Sequence, residues 1–196
     1  LVDNQSVFTM LRRALRRRGF SRIYTVNYSP LTSDIADAAH RLQALVENVC
    51  EHTGYERVHI VAHSMGGPST AIALSRGLQV GRVALLGSPS DLSEVLDRFC
   101  AVLHLGPRVR SAFRAEMSRR TGVSVDESRF ASFVQGVEIP VLVVHDRGDA
   151  EVPLSEGHAC AAAFRNSQMV EVEAEGHRRM LKSPAVIAMV AAKLPG

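Results

Sequence analysis

Residues 58–67, Val-His-Ile-Val-Ala-His-Ser-Met-Gly-Gly, restrict the fold of this chain more than any other stretch. A mostly apolar run, Val58 to Ala62, leads into a serine with small residues on either side. Helix-compatible residues follow from Pro68 to Arg76. The order reads as a buried strand, a sharp turn and a helix, with Ser64 at the turn. Ala62 and Gly66 are small because strand and helix nearly touch across so tight a bend. A serine held there has its hydroxyl lifted clear of the backbone at a helix N-terminus. Ala-x-Ser-x-Gly is one methyl away from Gly-x-Ser-x-Gly. The pentapeptide alone also describes an ordinary strand–helix loop, so the rest of the chain must supply its context.

Around this stretch, strands alternate with helices. Residues 4–18 read as a helix, with Asp3 or Asn4 as N-cap and Gly19 past its end. Arg22 to Tyr28 is rich in β-formers and reads as a strand stopped by Pro30. Thr32 or Ser33 caps a second helix with Ile35, Ala38, Leu42, Leu45 and Val49 on one face. Further strands are expected at 80–86, 139–145 and 169–174, and helices at 153–164 and 184–194. The run at 139–145 is continuously apolar, as in strands buried on both faces. Residues 91–135 differ: two helices broken by Gly106-Pro107 and Gly122, and no strand. The pattern predicts an α/β fold in one domain, residues 1–196. It has a doubly wound, mostly parallel sheet of about five strands, with 91–135 as a small helical cap.

Bulk properties exclude several classes. With 196 residues, 46% hydrophobic and 22% charged, the chain can bury a sizeable core and is not a disordered polypeptide. No apolar run reaches the ~20 residues needed to span a bilayer. The net charge is +3, and Lys182 and Lys193 are the only lysines among 23 basic residues. The cluster Arg12, Arg13, Arg16, Arg17, Arg18 reads as the solvated face of an amphipathic helix, because Phe8, Leu11 and Leu15 recur beside it. No aromatics interleave with these arginines, so no nucleic-acid partner is expected. Cys50, Cys100 and Cys160 are too far apart for a metal pair or a disulfide framework and fit a reducing, cytoplasmic compartment. The histidines lack metal-ligand spacing, so neither a metal nor a cofactor is expected.

A serine nucleophile needs a base, and the base an orienting acid. In open α/β sheets sites assemble at the carboxyl ends of strands, so polar residues just past strand ends are the candidates. Two loops supply them: His145-Asp146-Arg147-Gly148-Asp149-Ala150-Glu151-Val152-Pro153, and Glu175-Gly176-His177-Arg178-Arg179-Met180. Asp146 and Asp149 both qualify as the acid, and the loop position of Asp149 favours it. His63 points away from Ser64 and is expected to be structural or to line a pocket. His145 is expected to hold the loop that carries Asp149.

Three separated motifs, Ala62-His63-Ser64-Met65-Gly66-Gly67, His145-Asp146-x-x-Asp149-x-x-Val152-Pro153 and Gly176-His177, occur in the order Ser, Asp, His. In them the chain resembles the α/β-hydrolase superfamily, in its serine esterase and lipase branches. The resemblance implies Ser64 as nucleophile, Asp149 as acid, His177 as base and the Met65 N–H as an oxyanion donor. It implies a serine hydrolase acting on small-molecule carboxyl esters of small to medium acyl chains, with Phe99, Val102 and Leu103 of the cap expected to form the acyl pocket. Residues 1–67 look like bacterial lipases and residues 80–182 like another group of small hydrolases. Family members also carry an earlier strand ending in a His-Gly turn that supplies a second oxyanion donor, and this sequence begins just after that point. Its lack predicts that 22–28 pairs differently or leaves a gap. The exposed sheet edges would then favour a homodimer. It also raises a second reading, a non-catalytic binding or scaffold domain.

Overall fold

The computed structural model describes residues 8–26, 35–121, 124–125, 129–173 and 176–194. The expected caps at Asp3 or Asn4 and at Thr32 or Ser33, the Tyr28–Pro30 strand end and the backbone near Leu1 lie outside these residues.

The elements run α1 (Thr9–Arg17), α2 (Ile35–Thr53), β1 (Val58–His63), α3 (Gly66–Ser75), β2 (Val80–Leu86), α4 (Leu92–Val102), α5 (Pro107–Thr121), α6 (Phe130–Phe133), β3 (Val141–Asp146), α7 (Leu154–Ala163), β4 (Ser167–Val172) and α8 (Pro184–Lys193). A 3-10 turn, Arg179–Lys182, precedes α8. The four strands among the described residues form one parallel sheet in the order β1-β2-β3-β4. Each parallel step requires a crossover, and the intervening helices provide it.

The period-two alternation of the strands divides the core. Val83 and Leu85 of β2 and Val141 and Val143 of β3 pack with α2, α3 and α7 on one face. Ala84, Leu86, Leu142 and Val144 pack with Leu11 and Leu15 of α1 and with Val186, Ile187 and Val190 of α8 on the other. Every residue of β3 is buried, as its continuous apolar run predicts. α3 is covered on almost all sides, from Gly67 to Leu74. Its buried hydroxyls are satisfied locally, Thr70 Oγ1 donating to the Gly66 carbonyl at 2.8 Å.

The expected strand beginning at Arg22 does not form over its described part. Residues 20–26 run outside the sheet without ladder bonds. Among the described residues β1 has β2 on one side and no strand on the other. A β-rich sequence needs a neighbour to donate and accept its ladder bonds, and a cavity separates this segment from β1.

The segment from α4 to α6 contains no strand among its described residues, only an isolated bridge between Asp91 and Arg129. Its helices are tied together by Arg114, which donates to Asp97 Oδ1 at 2.9 Å and to Ser93 Oγ at 2.7 Å. No helix among the described residues is long and apolar enough to cross a membrane.

Candidate active site

Ser64 occupies the turn between β1 and α3 with φ of 54°, a left-handed conformation that a side chain rarely adopts. Two backbone bonds hold it. The Ser64 N–H donates to the Leu86 carbonyl at 3.0 Å, and the Ser64 carbonyl accepts from Gly67 N–H at 3.0 Å. Met65 is the N-cap of α3, so its N–H belongs to the unpaired first turn at the positive end of the helix dipole.

The loops carrying Asp149 and His177 meet beside it. His177 Nδ1 donates to Asp149 Oδ2 at 2.6 Å, and both side chains are buried. That bond fixes the tautomer and leaves Nε2 with a free lone pair. Asp149 Oδ1 accepts from the Glu151 and Val152 N–H groups at 2.9 and 2.8 Å. Burial would raise the Asp149 carboxyl, but its hydrogen bonds and the His177 ring together hold it below its ordinary value.

The two candidate acids therefore have different surroundings. Asp146 does not bond the histidine ring. Its Oδ1 accepts from Gly148 N–H and its Oδ2 from Gly176 N–H at 3.0 Å, which ties the loop of Asp149 to the loop of His177. His145, fully buried, donates from Nε2 to the Val152 carbonyl at 3.0 Å and so holds the loop carrying Asp149. His63 lines the same cavity as Ser64. It donates from Nε2 to the His177 carbonyl at 3.0 Å and lies with its ring centroid 4.6 Å from that of His177. The strand end placed His63 next to Ser64 in sequence, but only the fold brings it against His177.

Gly87 was not singled out by the motifs. It follows β2 with φ of 53°, and a Cβ there would sit 3.1 Å from His177 Nδ1 and 3.3 Å from Asp149 Oδ2. The strand-end sequence Gly87-Ser88-Pro89 is the signal that could have found it.

Ser64, Met65 and His177 open onto a cavity of about 820 Å³. It lies between β1 and residues 20–26, with Leu42, Leu45 and Val49 of α2 in its wall. Phe99, Val102 and Leu103 do not line it. They are 48%, 75% and 51% exposed. α4 buries Leu92, Leu96 and Cys100, one turn apart, which turns the other face outward. Arg12, counted among the solvated arginines, is partly buried in the cavity wall beside Leu11 and Leu15.

A parallel sheet wrapped by helices, with a half-buried serine turn and a buried Asp–His pair past later strands, defines the α/β-hydrolase superfamily in its esterase and lipase branch. Residues 3–129, more than half of the chain, match the model of the class 2 lipases, and the chain belongs to that family. Residues 115–194 match a model described as TAP-like protein. No curated protein matches the sequence. Among solved structures, the chain is similar to Est1E from Butyrivibrio proteoclasticus (19% identity, TM-score 0.64, 82% of this chain and 69% of that one). It is similar to the esterase domain of a Rhodothermus marinus protein (16%, 0.61, 96% and 77%). An α/β fold family hydrolase from Bacillus anthracis is a third (10%, 0.61, 82% and 75%). At these identities the likeness concerns the fold.

Proposed function

We propose that this chain hydrolyses carboxyl esters of small to medium acyl chains through an acyl-enzyme on Ser64. The observation that carries the reading is the buried His177–Asp149 bond of 2.6 Å facing the same cavity as a serine at positive φ. Ser64 Oγ attacks the ester carbonyl carbon while His177 Nε2 takes the hydroxyl proton. The carbonyl oxygen becomes an oxyanion and accepts from the Met65 N–H, a contact of the kind worth about 3 kcal/mol. The C–O bond to the alcohol breaks, and the imidazolium returns the proton to the leaving oxygen. Water, deprotonated by His177, then attacks the acyl carbonyl, releases the acid and restores Ser64. Asp149 holds the ring in the needed tautomer and stabilises its cationic form. The apolar wall formed by Leu42, Leu45 and Val49 receives the acyl chain.

The test is turnover of p-nitrophenyl acetate and butyrate, with fluorophosphonate labelling as a second readout. Ser64→Ala is expected to lower kcat at least about a thousandfold and to abolish labelling. A substituted protein that keeps the wild-type rate refutes the assignment. Wild-type protein that neither turns over nor labels favours the non-catalytic scaffold reading.

A further inference from the structure

The cavity that holds Ser64 and His177 has a charge imbalance that ester hydrolysis leaves unused. Among the described residues its wall carries Arg12, Arg22, Arg57 and Arg178, against one carboxylate, Glu151. Glu151 is already engaged, its Oε1 lying 3.2 Å from Arg178 Nε. Arg22 and Arg57 are exposed, so water satisfies them. Arg12 differs. It is half-buried on α1, and its Nε is shut off from solvent with no hydrogen-bond partner among the described residues.

A guanidinium N–H that has lost its water and gained no acceptor is costly, and it is satisfied best by an anion. Phe8, Leu11 and Leu15 line the wall beside Arg12, and apolar surroundings strengthen such an attraction. The donors of a guanidinium form a rigid planar fork that matches the two oxygens of a carboxylate. α1 also relates Arg12 to the reacting groups. The helix packs on the 3-10 turn that follows His177, with Leu11 in one apolar cluster with Met180 and Leu181. Beyond its other end, the Phe20 ring centroid lies 6.2 Å from that of His59, at the start of β1 and so remote from Ser64. Arg12 belongs to the first half of α1, toward the His177 end of the cavity. The cavity of about 820 Å³ is of a size that takes a small ligand whole.

We propose that Arg12 makes this cavity a site for esters whose acyl chain ends in a carboxylate: the guanidinium holds the carboxylate while the ester carbonyl lies at Ser64. The methylenes between them run along the apolar wall. Hydrolysis then consumes one water and releases the alcohol and a dicarboxylate. The kinetic part rests on the ester hydrolase reading, whereas the carboxylate site stands on Arg12 and the cavity alone.

The test compares monomethyl adipate and monomethyl suberate with methyl hexanoate and methyl octanoate, by titrating the acid released. Wild-type protein should turn over the charged esters at least as efficiently as the neutral ones. Arg12→Met keeps an apolar stem and removes the charge. It should lower kcat/KM for the charged esters about thirtyfold more than for the neutral ones. Arg12→Lys, which keeps a point charge without the fork, should show a smaller loss in the same direction and serves if Arg12→Met does not fold. Arg57→Met is the control for a general positive field and should leave the ratio within about twofold. Equal effects of Arg12→Met on both classes overturn the proposal, as does an equal shift in Arg57→Met. Calorimetry separates this from the hydrolase reading. Monomethyl adipate should bind the Ser64→Ala protein, and adding Arg12→Met should weaken binding at least about tenfold. If wild-type protein hydrolyses none of the esters and Ser64 does not label, the hydrolase reading fails. The calorimetry still decides the carboxylate site, and absent or Arg12-independent binding refutes it.

Discussion

Asp149 carries two obligations, and each has its own measurement. In the proposed mechanism it sets, through the His177 ring, the tautomer that lets Nε2 accept a proton. Asp149→Asn donates where it should accept and is expected to lower kcat by about 10⁴-fold. Through its lowered carboxyl it also contributes to stability. In the unfolded chain the group titrates near its ordinary value, about 4, and in the fold it titrates below that. The contribution is therefore complete above the unfolded value and is lost as the pH falls through the folded one. Thermal melts of wild type and Asp149→Asn should differ most near neutral pH and converge below about pH 4. A difference that grows in acid contradicts the pairing seen here. The neighbouring carboxylate, Asp146, has a different task, because its acceptors face Gly148 and Gly176 rather than the ring.

Among the elements, β2 does the most to place the site. It lies between β1 and β3, with Leu85 opposite Ala62 on one side and Val143 on the other. Leu85 is completely buried, so its removal leaves a cavity the strands cannot close. Leu85→Ala should destabilise the protein by about 3–5 kcal/mol in denaturant titration. A loss below about 1 kcal/mol means that the sheet relaxes around the gap. β2 also supplies the Leu86 carbonyl that holds Ser64 and leads directly to Gly87 beside His177. α4 shows the converse case. Its sequence is apolar on more than one face, and burial selects Leu92, Leu96 and Cys100.

At the level of the whole molecule, the cavity follows from sheet topology. β1 has no strand beyond it among the described residues, and the chain at 20–26 closes the space without filling it. Leu45 lines the space from α2, remote in sequence from Ser64 and His177. Leu45→Trp should reduce kcat/KM for p-nitrophenyl butyrate about tenfold more than for the acetate, because the longer chain needs the occupied volume. Equal effects on both esters place the acyl chain elsewhere. The site depends on the same scale: four parallel strands must lie in register before Ser64, Asp149 and His177 can share one end of the sheet.

Local pattern was enough for much of this. The alternation of β-formers and amphipathic runs locates every described strand and the main helices to within a few residues. The order of Ser64, Asp149 and His177 is legible because each sits just past a strand end, where open α/β sheets gather their chemistry. Segment 22–26 was misread because β-propensity describes fit to a neighbour, and no neighbour is paired there. Phe99, Val102 and Leu103 were misplaced because apolar character does not say which face a helix buries. The positions of His63 and Gly87 against His177 rest on contacts spanning some 60 to 114 positions. The sequence by itself determined the elements, their order and the turn that strains Ser64. Tertiary packing alone decided which side chains meet across those separations, since distant contacts are set by how the layers close and not by any local period.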